Sequence, residues 1–232
     1  GLPFRDAFDS TFDKIIYVDY LDLKSAKKLI RRRVIGIPTP FICICYCLSG
    51  GLPRDLIRIC RDMLELRSDS KKNTLGEICY RLIEKDIQSK VRAVTYAARD
   101  YLSDQNSTKF FDEMRQINEL LEPRRFSLDY KNIYKIVCRS DQSFDSNAKE
   151  VSDILMLRKE LFMYLYYVLT LLDIFCNIEV NKLREIEEKG LFDRLAKARQ
   201  SFSINPALSK SLIYDVRKTI NLADPASELI TF

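Results

Sequence analysis

Histidine is absent from the chain. With it go the Ser-His and Cys-His nucleophile arrangements and every His-containing metal site. Tryptophan is absent too, and the 6 glycines leave little room for a glycine-rich binding fold. No GxxxxGK[ST] run occurs, so the loop whose backbone N–H groups would cradle nucleotide phosphates is missing. The 7 cysteines contain no zinc-type CxxC pair, and their odd number suits a reducing cytosol better than a disulfide framework. The opening GLPFRDAFDSTFD carries three aspartates and lacks the apolar stretch of a signal peptide. Neither a catalytic residue nor a metal ligand is expected.

What is present is enough apolar material for a real core. The 232 residues are 47% hydrophobic, room for one large or two small domains, and the net charge of +5 is mildly basic without itself arguing for nucleic acid. Residues 14–20, KIIYVDY, are β-branched and aromatic and predict the one strand, which would need neighbours from upstream or else lie along a helical surface. Residues 23–35 predict a helix with Lys24, Lys27, Lys28 and Arg31 on one face and Ala26, Ile30 and Val34 on another. A Gly-Ile-Pro-Thr-Pro break follows, then a short apolar helix over 41–48 in which Cys43, Cys45 and Cys47 read as small packing residues. A polar connector at 67–73 leads to Thr74 and Glu77, a capping box that opens a long helix to about 102.

Beyond it, SDQNST at 103–108 predicts a break and residues 110–121 a further helix. Residues 125–137 read as helix, with a hairpin arm as the alternative, and 138–147 as an exposed loop. Residues 161–176, LFMYLYYVLTLLDIFC, approach the length of a bilayer span. Asp173 inside the run and weak Lys/Arg asymmetry at its flanks predict instead a central buried helix, its tyrosine hydroxyls at the edges of the bundle. Residues 181–200 predict a helix interrupted near Gly190, and Asn205-Pro206 the cap and first turn of a last helix to about 222. The tail to Phe232 is expected to be mobile.

The organising stretch is LSGGLPRDLIRICR at 48–61. Two glycines end one helix and Pro53 opens the next at the position where its missing N–H costs nothing. Arg54 then sits in the first turn, where a cation opposes the helix dipole. Either Asp55 or another carboxylate neutralises it, or an anion is held jointly by the guanidinium and the helix end.

Ser49-Gly50-Gly51-Leu52-Pro53-Arg54 followed by an amphipathic helix resembles the sensor-2 segment in the helical lid of P-loop ATPases of the AAA+/STAND type. The preceding FDKIIYVDYLDLKSAKKLIRRRVIG is similar to the last strand of such an ATPase core running into the first lid helix. The resemblance covers about residues 1–66 and implies that Arg54, presented by Gly50, Gly51 and Pro53, senses the terminal phosphates of ATP. A second arginine, Arg5, lies roughly where that family places a finger for a neighbour's nucleotide, although Ser10-Thr11 stands before Phe12 where the family has arginine. The chain departs from the family in lacking both the phosphate loop and an apolar strand ending in an acidic pair for magnesium.

The resulting expectation is a mainly α protein: residues 1–22 as the remnant strand of an NTPase core, 23–66 as the lid, and 74–232 as a C-terminal helical bundle. It would be the C-terminal part of a longer cytoplasmic protein. Nucleotide is bound only in the full-length context, where the whole is an ATPase although this stretch alone is not an enzyme, and the bundle passes nucleotide state to a protein partner or a second copy. The alternative is a stand-alone helical interaction module. A nucleic-acid adaptor ranks behind both for want of a recognition helix, and a membrane role is not expected.

Overall fold

The computed structural model describes residues 19–69, 74–121, 148–202 and 204–223. Nine α-helices account for most of them: α1 (Leu23–Arg31), α2 (Thr39–Ser49), α3 (Pro53–Asp69), α4 (Leu75–Tyr101), α5 (Asp104–Leu121), α6 (Ala148–Leu172), α7 (Val180–Glu188), α8 (Leu191–Gln200) and α9 (Pro206–Thr219). A single π-helical turn, Asp173–Asn177, continues α6. The mainly α class is as the sequence predicts. Most of the expected strand at 14–20, Arg5, the segment 125–147 and the tail from 224 lie outside the described residues; Asp19 and Tyr20 are not in a strand.

Three helix starts carry a side-chain cap. The Asp22 carboxylate accepts the Ser25 N–H at 2.7 Å and opens α1. Thr74 accepts the Glu77 N–H at 3.3 Å and opens α4, as the capping box predicts. Asn205 accepts the Leu208 N–H at 3.0 Å with Pro206 beside it at the start of α9. Two boundaries differ from the sequence reading. α1 stops at Arg31 because the Arg33 N–H leaves the α-helical pattern for the carbonyl three residues back, Ile30, and Gly36 takes φ 75° shortly before Pro38. The break after α4 is far shorter than SDQNST suggests, since α5 already begins at Asp104. Short polar residues of that kind serve a helix's first turn as readily as a loop.

α2 is the pivot of the packing. Every residue from Ile42 to Ser49 is buried, because α1, α3, α4 and α8 all lie against it. Each buried isoleucine or leucine there contributes about 1.5–3 kcal/mol relative to an exposed one, so an Ile44→Ala change would strike the centre of the fold. α4 and α6 run against each other, α5 packs on α4, and α9 packs on both α8 and α6. The core is continuous from Leu23 in α1 to Val216 in α9, so α1 to α3 are packed on the helices that follow residue 74.

α6 with its π turn is long and apolar enough to cross a membrane, yet 67% of its most apolar window is buried inside the protein. Asp173 pairs with Arg217 of α9 at 2.8 Å, and the same guanidinium donates to Thr170 Oγ1 at 3.0 Å. The α6 tyrosines do not keep their hydroxyls at the margins of the bundle. Tyr164 and Tyr167 are fully buried and spend them on the Asp86 carboxylate and the Cys47 carbonyl. A buried phenol must find an acceptor, and these two find theirs on α4 and α2.

Candidate functional site

The Gly50–Arg54 turn is built from the end of α2. The Gly50 N–H donates to the Cys47 carbonyl at 3.1 Å and the Gly51 N–H to the Tyr46 carbonyl at 3.3 Å, the paired bonds of a Schellman stop. Both glycines take left-handed backbone, φ 61° and 79°. A side chain is excluded at Gly51 for a second reason: a Cβ there would stand 2.4 Å from the Leu21 carbonyl oxygen. The Leu21 N–H donates to the Gly51 carbonyl at 2.8 Å, so the strand of chain leading into α1 lies directly on the turn.

Contacts from α8 fix it further. The stem of Arg199, on α8, passes 3.1 Å from where a Cβ on Gly50 would be, and the Gln200 amide donates to the Gly50 carbonyl at 2.6 Å. The Arg199 guanidinium pairs with Asp86 of α4 at 3.3 Å and stands 4.9 Å above the Tyr164 ring and 5.5 Å above Phe202. Asp193 of α8 accepts the Leu23 N–H at 3.0 Å and the Tyr46 hydroxyl at 2.7 Å, so one carboxylate holds the α1 start and α2 together. Burial, reinforced by that carboxylate, pushes the Tyr46 phenol far up, and it stays protonated.

Pro53 begins α3, and the Leu56 N–H returns to the Leu52 carbonyl at 2.9 Å. Arg54, one residue on, is exposed. Among the described residues its guanidinium has no hydrogen-bond or ion-pair partner. Asp55 does not neutralise it; that carboxylate accepts instead from Arg58 at 3.4 Å, one turn along the helix. The structure therefore brings Gly50, Gly51, Pro53 and Arg54 together as one rigid turn presenting one free cation beside a helix N-terminus. Arg5, the other arginine singled out, lies outside the described residues.

Asp86, Asp193, Arg199 and Gln200 support the turn from far away in sequence, and no pattern in their own helices marks them. The buried thiols of Cys43, Cys47 and Cys79 are held protonated. Burial pushes Cys43 up to about 12 and holds Cys47 and Cys79 far above the ordinary thiol range, so none is a thiolate at neutral pH. Among the described residues no cluster of acidic or cysteine side chains could hold a metal ion. Comparison of the chain with protein-family models, with curated proteins and with solved structures finds no match in any of the three.

Proposed function

We propose that this chain is the lid and helical regulatory part of a cytosolic P-loop NTPase of the AAA+/STAND type, with Arg54 as the group that reads the terminal phosphates of ATP held by a core elsewhere in the protein. The observation that carries the reading is an unpaired guanidinium in the first turn of a helix, where the dipole opposes it, on a turn held by the end of α2, the chain before α1 and α8. A phosphate reached by Arg54 in one lid orientation and not in another shifts the population by the difference in those contacts. Because α2 packs against α1, α3, α4 and α8, that shift would be carried straight into the bundle and to a protein partner or a second copy. The second reading, a helical interaction module without nucleotide, is favoured by the same shared core, which makes the described part self-sufficient in packing.

The test is made in the protein that carries this chain together with its upstream sequence. A P-loop should be encoded there, and Arg54→Ala should weaken ATP binding by roughly tenfold or more, the loss expected for one charge-assisted phosphate contact. Equal nucleotide affinity in mutant and parent would leave the interaction module standing alone.

A further inference from the structure

We infer that the C-terminal end of α1 and the turn after it form a docking tip for an anionic lipid surface. Lys24, Lys28, Arg31, Arg32 and Arg33 are all exposed. The side chains of Lys28, Arg32 and Arg33 make no hydrogen bond or ion pair among the described residues. The carboxylates of the adjoining cleft, about 930 Å3 in volume, are already engaged. Glu187 pairs with Lys27, Asp22 accepts the Ser25 N–H, and Asp193 accepts from Leu23 and Tyr46. Bonds to neutral groups leave the Asp22 and Asp193 charges in place, but the five cations lining the cleft outnumber its three carboxylates, and with Arg33 beyond them this end of α1 stays net positive.

The apolar part of the tip is Ile35, 98% exposed and the most exposed large apolar side chain among the described residues. It stands on an anchored loop. The Val34 N–H is tied to the Ile30 carbonyl at 2.9 Å, Ile37 is buried, and Arg31 donates to the Thr39 hydroxyl at 2.9 Å, joining the end of α1 to α2. Gly36 takes φ 75°, and a Cβ added there would meet nothing within 4 Å, so the reversal projects away from the body of the protein.

An exposed apolar point two residues after three consecutive exposed arginines is the chemical complement of a bilayer interface, with headgroup phosphates for the cations and the acyl boundary for the isoleucine. A nucleic-acid backbone would use the cations and leave Ile35 in water. This is a peripheral contact, not the membrane span that the sequence of α6 argues against. It lies at the far end of α1 from Gly51, about 13 Å along the helix axis at 1.5 Å per residue, so it does not depend on what Arg54 binds.

The full chain is sedimented with vesicles of phosphatidylcholine alone and with vesicles in which about one-third of the lipid is phosphatidylserine. Binding to the anionic vesicles only, released by added salt, is expected. Ile35→Asp should weaken it several-fold, and the pair Lys28→Glu and Arg32→Glu by roughly tenfold or more. Lys210→Glu, an exposed lysine on α9, should leave it unchanged. All these positions are exposed, and unchanged thermal unfolding of the variants verifies that they fold. Equal binding to both vesicles, no binding to either, or binding indifferent to Ile35→Asp would each overturn the inference. So would capture of duplex RNA by the parent, lost on charge reversal, with vesicles left unbound.

Discussion

The carbonyl oxygen of Leu21 occupies the space that a Cβ on Gly51 would need, 2.4 Å from its ideal position. Backbone meets backbone there, and neither side has a flexible end that could give way. Gly51→Ala should therefore cost about 3 kcal/mol or more, the range of overpacking added to a left-handed backbone penalty. Gly50→Ala meets only the stem of Arg199 at 3.1 Å, and Gly36→Ala meets nothing at all. Gly36→Ala should lose only the left-handed penalty, about 1–2 kcal/mol, and Gly50→Ala, which must push the Arg199 stem aside, should fall between the other two. Urea denaturation of the three variants checks the order; a Gly51→Ala protein as stable as Gly36→Ala would show that the chain before α1 does not rest on the turn.

Asp86 carries two obligations at once, to Arg199 at 3.3 Å and to the fully buried Tyr164 hydroxyl. Asp86→Ala leaves a phenol without an acceptor and a largely buried guanidinium without its countercharge. A loss of about 3–5 kcal/mol is expected, as for other broken buried pairs. Asp86→Ala combined with Tyr164→Phe and Arg199→Met removes all the stranded polar groups together. That triple variant should recover part of the loss, and a strictly additive result in thermal unfolding would mean that the three groups are not coupled.

Alkali should destabilise the protein early. Burial raises Cys43 from 9.0 to about 12 and holds Cys47, Cys79, Tyr164 and Tyr167 well above their ordinary values. A group whose folded value is raised contributes stability that is intact below its unfolded value and lost as pH climbs toward the folded one. For the thiols that window opens near pH 9, and each thiol lost to ionisation in the unfolded chain removes about 1.4 kcal/mol per pH unit. The melting temperature should be level near neutrality and fall steeply above pH 9. A flat profile to pH 10 would mean that these thiols are not sealed in the core.

The sequence made legible the parts of this fold that are local. Apolar residues recur at helical spacing, and the Thr74 cap, the Asn205-Pro206 start and the Gly50-Gly51-Pro53 turn all have chemistry that acts within four residues. The alternating cysteines of α2 were readable as packing for the same reason, since nothing near them in sequence could complete a metal site. The exact end of α1 was not readable, because Val34 and Ile35 continue the apolar spacing up to Gly36 while the Arg33 N–H has already left the helical pattern at Ile30. Nor was the support of the turn. Arg199 finds Asp86 across 113 positions and Gln200 finds Gly50 across 150. A charged side chain inside a helical pattern looks like a solvated face until its partner arrives from another helix.

Arg54 gives the sharpest separation of stability from function. Its charge sits in the first turn of α3 without a partner among the described residues, so it opposes the dipole and nothing in this chain is lost with it. Arg54→Ala should leave unfolding within about 0.5 kcal/mol of the parent, as for a surface change. Arg54→Glu should go further and stabilise, by about 0.3–1 kcal/mol at low salt, because a carboxylate there favours the helix end. Adding salt should erase that gain. A residue retained for packing behaves in the opposite way, losing stability on either change whatever the salt. If Arg54→Glu lowers the melting temperature, the guanidinium is structural and its assignment to a phosphate fails.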